Sequence, residues 1–189
     1  LINNNMPFHI NVDENIELGS KVLTLMVMGD GLENTENNFF FDEYEIEIEV
    51  SLNQFGFPIY EPSKKTSPLV ADLDNDEDNE IIFGDYNGFI HVLNSDGTEV
   101  VDDTFPYETG NQIWGSAAAA DLDNDGLIDF IIASKSKHLY IFDKNGLKLK
   151  YNAQQYLLGT PAIGNLYDDN ELEIVFAGYT NNNKLFVIN

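Results

Sequence analysis

Apolar and polar residues alternate with a period of two along much of this chain, whereas no long window shows the 3.6-residue apolar period of an amphipathic helix. The clearest case is the segment from Tyr44 to Val50, in which apolar and acidic residues alternate strictly. Such alternation predicts a strand with one face in a core and the other in water. Residues 8–12 and 21–28 are further candidate strands, and a turn is predicted at 29–31. The pattern predicts an all-β protein.

Residues 1–53 are predicted to hold several antiparallel strands of an immunoglobulin-like β-sandwich fragment, because the candidate strands cluster there. The composition changes near Asn53-Gln54, and we place a domain boundary at that point. The chain begins with Leu1 and ends at Asn189 directly after a predicted strand, so we expect it to be part of a longer protein. On that expectation, a signal peptide could lie upstream.

Residues 54–189 contain an internal repeat. The segments 67–86, 116–135 and 160–179 align with one another, and their starts lie 49 and 44 residues apart. Each contains a short apolar strand, an acidic loop and a β-rich run, and a further strand follows. The first two repeats then have the hairpin dipeptides Asp96-Gly97 and Asn145-Gly146 at matching positions. Four short antiparallel strands every 40–50 residues are typical of a propeller blade.

The predicted architecture is therefore a partial β-propeller of four-stranded antiparallel blades after the β-sandwich fragment. About three blades are expected, with repeats starting near residues 67, 116 and 160, and the third is expected to lack its outer strand. Blades bury their faces against neighbouring blades, and three of them cannot close a ring. We therefore expect either further blades beyond Asn189 or an open propeller fragment.

The acidic loop of the second repeat carries carboxylates at positions 1, 3, 5 and 9, with Gly126 at position 6. Alternate residues of a tight loop point inward, and the backbone carbonyl at position 7 would face the same centre. Calcium takes six to eight oxygen ligands in a flexible shell, which suits this loop better than magnesium or zinc. The spacing predicts a calcium site made by Asp121, Asp123, Asp125, the carbonyl of Leu127, and Asp129.

The other two loops repeat this spacing with different completeness. The first offers Asp72, Asp74, Asp76, the carbonyl of Asp78, and Glu80. It has Glu77 where glycine is expected, and a positive φ there would cost about 1 kcal/mol. The third offers Asn165, Asp169, the carbonyl of Glu171, and Glu173, with Tyr167 at position 3 unless a register shift brings in Asp168. Two calcium sites are predicted, and the third loop leaves both outcomes open.

The alternative is that these loops are solvated turns, because Asp and Asn favour turns. Two observations argue against it: the carboxylates would repel one another without a cation, and their spacing repeats in register.

The charge balance excludes other classes of partner. There are 33 acids, nine lysines, no arginine and no cysteine, and the formal charge is −24. Nothing here would neutralise a phosphate backbone, so nucleic-acid binding is excluded. No apolar run reaches the length of a membrane span, so membrane insertion is not expected.

A catalytic site is not predicted. His91 and His138 lie in predicted strands, and the chain contains neither a GxSxG elbow nor a phosphate-binding glycine loop. Trp114, Tyr60 and Tyr107 precede the blades, where they would form a ligand face or pack between blades. Packing is the favoured interpretation.

The motif DLDNDGxxD, placed between a small apolar strand and a β run that ends in FGDY or FAGY, resembles the FG-GAP/VCBS repeats of integrin-α-like β-propellers. The resemblance covers about residues 56–189. It implies one calcium per loop between the first two strands of a blade, held by the ligands named above for the first two loops. Residues 1–53 resemble the β-sandwich modules that precede such repeats in large secreted bacterial proteins, including some subtilisin-like proteases.

The expected function is that of a non-catalytic calcium-binding module of a secreted or cell-surface protein. Its expected partners are a protein or carbohydrate ligand on the propeller face and the further blades. One alternative is an accessory C-terminal region of a secreted hydrolase whose catalytic domain lies upstream. Another is an active site inside the propeller, as in sugar- or quinone-dependent enzymes, which the absence of arginine disfavours.

Overall fold

The computed structural model describes residues 15–30, 39–54, 56–60, 63, 66–100, 104–169 and 171–189. Every regular element in these ranges is a β-strand, which confirms the predicted all-β class. The chain divides into two compact units, Leu1–Asn53 and Gln54–Asn189. In the part that the structure describes, no helix is long and apolar enough to cross a membrane.

The first unit contains a β-hairpin. Strand β1 (Gly19–Asp30) pairs antiparallel with β2 (Phe39–Val50), in a register that runs from Gly19 opposite Val50 to Asp30 opposite Phe39. The strands predicted at 21–28 and 44–50 fall inside these two, whereas the candidate at 8–12 lies outside the described residues. Val22, Met26 and Ile46 are exposed on the hairpin. The β-sandwich stays a prediction, since the described strands of this unit form one two-stranded sheet.

The second unit contains three antiparallel sheets of four strands each. The first comprises β3 (Leu69–Ala71), β4 (Glu80–Gly84), β5 (Phe89–Leu93) and β6 (Tyr107–Glu108). The second comprises β7 (Ala118–Ala120), β8 (Asp129–Ala133), β9 (His138–Asp143) and β10 (Gly146–Asn152). The third comprises β11 (Tyr156–Leu157), β12 (Ala162–Gly164), β13 (Glu173–Tyr179) and β14 (Leu185–Ile188). These sheets match the predicted four-stranded blades.

The third sheet differs from the other two in the origin of its fourth strand. In the first two sheets the fourth strand follows the third in the chain and pairs with it. In the third sheet β11 precedes β12 and pairs with the far end of β13, at Tyr156 opposite Tyr179. Among the described strands, β14 pairs only with β13. Within the described residues the third repeat therefore contributes β12, β13 and β14 but no outer strand after β14, as expected. The fourth strand of its sheet is β11, which precedes the repeat.

The sheets pack through the two faces of the middle one. On β8, Phe130 and Ile132 join the apolar cluster shared with the first sheet, whereas Ile131 and Ala133 join the cluster shared with the third. All four are almost completely buried. This explains why the sequence of β8 is a continuous apolar run rather than an alternating one, since a strand covered on both faces has no polar side.

The acidic loops all lie at one end of the sheets. Each loop joins the first two strands of its repeat, and the position-9 acid pairs with the last residue of the preceding strand: Ala71 with Glu80, Ala120 with Asp129, and Gly164 with Glu173. Because β4, β8 and β13 run away from their loops, the residues at their other ends, including Tyr86, Lys135 and Tyr179, lie at the opposite end. The two ends thus present different chemistry.

Candidate metal centres in the acidic loops

The position-9 acid of each loop is anchored in the same way. Glu80 accepts a hydrogen bond from the backbone N–H of Leu73 at 2.9 Å, Asp129 from that of Leu122 at 3.1 Å, and Glu173 from that of Leu166 at 2.7 Å. Each of the three acids is buried. The bond spans the loop from position 2 to position 9, so it closes the loop and directs one carboxylate inward.

The first loop brings three carboxylates together. Ligand oxygens of Asp72, Asp74 and Glu80 all lie within 4.8 Å of one another. Asp72 also accepts hydrogen bonds from the N–H groups of Asn75 at 2.7 Å and Glu77 at 3.1 Å, which hold the loop around it. Oxygen donors at this separation suit a hard divalent cation.

The electrostatics of Glu80 fit the same interpretation. Burial raises the pKa of this carboxyl, the N–H of Leu73 lowers it, and the charges of Asp74, Asp76 and Asp72 raise it again, so that the net pKa lies above its ordinary value. The contribution of Asp74, Asp76 and Asp72 to this raised pKa reflects repulsion among the carboxylates of the first loop. A cation among these oxygens would remove that repulsion.

The second loop also brings three carboxylates together, at different positions. Ligand oxygens of Asp121, Asp123 and Asp125 lie within 4.8 Å of one another. Asp121 accepts from the N–H groups of Asp125 at 3.1 Å and Gly126 at 2.9 Å. The second loop thus clusters positions 1, 3 and 5, whereas the first clusters positions 1, 3 and 9.

These two loops and the strands around them make one family match. Residues 72–132 match the family model of the FG-GAP-like repeat. The match begins at the first predicted ligand of the first loop, Asp72, and ends within β8, so both carboxylate clusters lie in it. FG-GAP-like repeats occur mainly in extracellular or surface proteins, and domains of this kind are generally non-catalytic. No curated protein matches the chain.

Within the FG-GAP-like segment, the predicted ligand Asp76 is not among the three clustered carboxylates of the first loop. The N–H of Asp78 donates to Asp76 Oδ1 at 2.9 Å, and in the second loop the N–H of Leu127 donates to Asp125 Oδ1 at the same distance. These matching bonds between positions 7 and 5 show that the two loops share the same local turn at these positions. The loops also touch, because the side chain of Asn75 donates to the carbonyl of Gly126 at 3.0 Å.

Lys148 is a residue that sequence reasoning missed. Its ammonium group, on β10, donates to Asp123 Oδ2 at 2.9 Å and to Asp129 Oδ1 at 2.8 Å. Although burial lowers the pKa of Lys148, the hydrogen bonds and charges of Asp129 and Asp123 outweigh it and raise this pKa. The same contact lowers the pKa of Asp123. No sequence signal identifies this lysine, because it lies 19 and 25 residues from its partners and only sheet pairing brings β10 to the loop.

The third loop lies beyond the FG-GAP-like match and has a different composition. Its residues keep the register, since Glu171 N–H donates to Asp169 Oδ1 at 3.0 Å. The side chain of Asn165 donates to the carbonyl of Asp169, and Tyr167 is 69% exposed. Among the described residues of this loop, the acids do not form a cluster of the kind seen in the first two.

The backbone φ angles bear on two expectations about the acidic loops, a positive φ at position 6 and a register shift in the third loop. Position 6 has a positive φ in the first two loops, 74° at Glu77 and 88° at Gly126, as expected. Position 4 also has a positive φ in all three, at Asn75, Asn124 and Asp168. Asp168 thus occupies the position-4 conformation, and no register shift moves it to the place of Tyr167.

The two predicted strand histidines lie on β5 and β9. His91 is buried, contacts Glu99 through Nδ1 and lies 3.4 Å from Asp85 Oδ2 through Nε2, while its ring stacks on Phe83 at 4.9 Å. His138 Nδ1 contacts the carbonyl of Ser136 at 2.8 Å. Both positions are explained by packing and hydrogen bonding within the sheets.

Proposed function

We propose that residues 54–189 are a calcium-stabilised β-propeller segment that serves as a non-catalytic interaction module of a secreted or cell-surface protein. One observation carries the calcium proposal. Equivalent loops of two adjacent sheets each bring three carboxylates within 4.8 Å, in a segment that matches the FG-GAP-like repeat. The preference of Asp and Asn for turns does not explain why carboxylates cluster in the equivalent loop of two repeats.

Calcium would act structurally in this proposal. It would neutralise the loop and join the first two strands of the blade, and the matched bonds from position 2 to position 9 already shape the loop for it. One bound ion contributes about 2.7 kcal/mol to the free energy of unfolding when free calcium is 100-fold above Kd. Sites of extracellular modules typically bind with Kd of about 10⁻⁴–10⁻³ M, which agrees with the proposed location.

The outer face of the third sheet supports the proposal of further blades. Leu185 and Val187 on β14 are 71% and 42% exposed, while the residues between and after them, Phe186 and Ile188, pack on the cluster shared with the second sheet. A strand with apolar side chains on both faces is typical of a blade that is covered on both sides. We propose that a blade from the rest of the parent chain covers this face.

The test of the calcium proposal is a calorimetric titration of the 189-residue chain, with thermal melts in calcium, magnesium and chelator. Two sites are expected, together with a calcium-selective rise in melting temperature. Asp74→Asn and Asp123→Asn are each expected to remove one site. The matched control is Glu45→Gln, which removes an exposed acid of the hairpin and should leave both sites intact. Absence of saturable binding, or an equal response to magnesium, would overturn the proposal.

A further inference from the structure

A surface cavity lies at the end of the sheets opposite the acidic loops. Its volume is 620 Å³, and it is lined by residues of the second and third repeats and of the segments that precede them: Asn111, Trp114, Lys135, Tyr156, Leu158 and Tyr179. A second cavity of 570 Å³ shares Tyr156 and Tyr179 and adds Thr180, Asn181 and Asn183. The two cavities therefore form one continuous depression around the two tyrosines.

Exposed aromatic rings dominate this depression. Tyr156 and Tyr179 are direct partners in the β11–β13 pairing and are 41% and 60% exposed. Trp114 is 46% exposed and stacks on Tyr86 with 6.0 Å between ring centroids. The favoured prediction that the aromatics before the blades pack between them agrees with Tyr107, which contacts Tyr140 and Phe142. Trp114 also contacts both neighbouring repeats, through Tyr86 and Lys135, but it stays about half exposed. Aromatic rings that are partly exposed in this depression are accessible to a ligand.

The charge of the depression is opposite to that of the chain. Lys135 Nζ lies 4.4 Å from the centre of the Trp114 ring, and Lys137 Nζ lies 5.3 Å from that of Tyr156. Among the described residues neither ammonium group pairs with a carboxylate; Lys135 donates instead to Gln112 Oε1 at 2.7 Å. The residues that line the two cavities include no Asp or Glu. In a chain with 33 acids and nine lysines, this local balance favours an anionic ligand.

We propose that this aromatic and lysine-bearing depression binds a carboxylated sugar, such as a uronic-acid unit of an acidic polysaccharide. In this proposal the C–H surface of the sugar ring packs on Tyr156 and Tyr179, and its carboxylate pairs with Lys135, which lines the same cavity. The amide groups of Asn111, Asn181 and Asn183 both donate and accept, as sugar hydroxyls require. The inference rests on the proposed interaction role and names its ligand.

Comparison of the repeats adds support. Lys135 stands at the position that is Tyr86 in the first repeat and Tyr179 in the third. The second repeat therefore carries a cation at the position where the first and third repeats carry an aromatic ring. A neutral sugar needs only the rings, whereas the combination of rings and ammonium groups matches a sugar that carries a negative charge.

The experiment uses Trp114, the only tryptophan of the chain, as a fluorescent reporter inside the cavity. The calcium-loaded chain is titrated with trigalacturonate, with its methyl ester, which lacks the charge but keeps the shape, and with triglutamate. Saturable change is expected with trigalacturonate, and binding about tenfold weaker is expected with the ester, since one charge-assisted contact is lost. Added salt should weaken the acid form alone.

Variants locate the binding. Lys135→Gln and Tyr179→Ala are each expected to weaken trigalacturonate binding about tenfold, whereas Lys144→Gln and Tyr167→Ala, a matched pair at the opposite end, should leave it unchanged. Circular dichroism checks that each variant is folded. No saturation, equal binding of the ester, tighter binding of triglutamate, or equal loss in the control pair would each overturn the inference. A calcium titration of the calcium-free chain, and repetition of the trigalacturonate titration in chelator, test the metal proposal separately, so the two failures are distinguishable.

Discussion

The ammonium group of Lys148 lies 2.8 Å from Oδ1 of Asp129, so a residue of the outer strand β10 reaches position 9 of the second acidic loop. The same group contacts Asp123 at 2.9 Å. In the first loop the equivalent acid, Glu80, belongs to the carboxylate cluster, and no lysine contacts it among the described residues. The two loops therefore differ in charge compensation, because among the described residues an ammonium group reaches the position-9 acid of the second loop and none reaches that of the first.

Removal of this internal cation is expected to separate the two loops experimentally. Lys148→Met should lower the free energy of unfolding in chelator by about 1 kcal/mol, because the buried carboxylate of Asp129 loses its partner. It should also tighten calcium binding at the second loop, since the ammonium group no longer competes for Asp123 and Asp129. Calorimetry and chemical denaturation measure the two effects.

The control for that variant is Lys150→Met on the same strand, where the ammonium group lies over the Tyr140 ring at 5.4 Å. It should leave calcium binding unchanged. Weaker calcium binding in Lys148→Met would show that the lysine supports the site and does not compete with the ion.

The positive φ at position 6 predicts a reciprocal pair of effects. Glu77→Gly should raise the free energy of unfolding by about 1 kcal/mol, because a glycine adopts φ 74° without strain. Gly126→Ala should lower it by a similar amount, although a Cβ at Gly126 would meet nothing within 4 Å. Denaturation in chelator measures the backbone effect apart from any metal. Equal signs for the two variants would contradict the strain argument.

Two glycines at the same repeat position predict unequal effects of one substitution. A Cβ on Gly115 would lie 2.4 Å from the carbonyl carbon of Gly159, whereas a Cβ on Gly159 would meet nothing within 4 Å. Gly115→Ala should therefore destabilise the protein by about 1–3 kcal/mol, since two backbone segments must separate. Gly159→Ala should cost much less and is the matched control. Thermal unfolding of both variants tests this, and equal losses would mean that the close approach is not maintained.

Asp85 predicts a pH dependence of stability. Burial alone would raise its pKa, but hydrogen bonds from the N–H of Phe89, from Ser63 and from His91 lower it below the ordinary 3.8. A depressed pKa in the folded state means that the ionised carboxyl stabilises the protein above pH 3.8, and that this contribution is lost as the pH falls through the folded-state pKa. The advantage of the wild type over Asp85→Asn should thus shrink as the pH falls below 3.8. Chemical denaturation over a pH series measures it, and an advantage that grows in acid would contradict the assignment.

The local pattern of the chain was sufficient for much of the fold. Strict alternation identified β2, and the repeat spacing located the sheets and their acidic loops, because a period of two and the Asp/Asn/Gly turn chemistry are local properties of strands and loops. The positive φ at Glu77 was predictable for the same reason: a repeated loop requires the conformation that its glycine-bearing copy adopts. These features depend on neighbours in sequence.

Tertiary structure alone decided which side chains that are distant in sequence meet, both within one repeat and between repeats. Lys148 joins the second loop only because β10 pairs with β9 and lies in the same sheet as the loop. Trp114, Lys135 and Tyr156 share a cavity only because adjacent sheets pack face to face, which brings residues 21 or more positions apart together. The sequence of each repeat determines which side chains its loops and strands carry. Which of these side chains meet in different repeats depends on how the apolar faces of the sheets pack, and this packing is not a local property of the sequence.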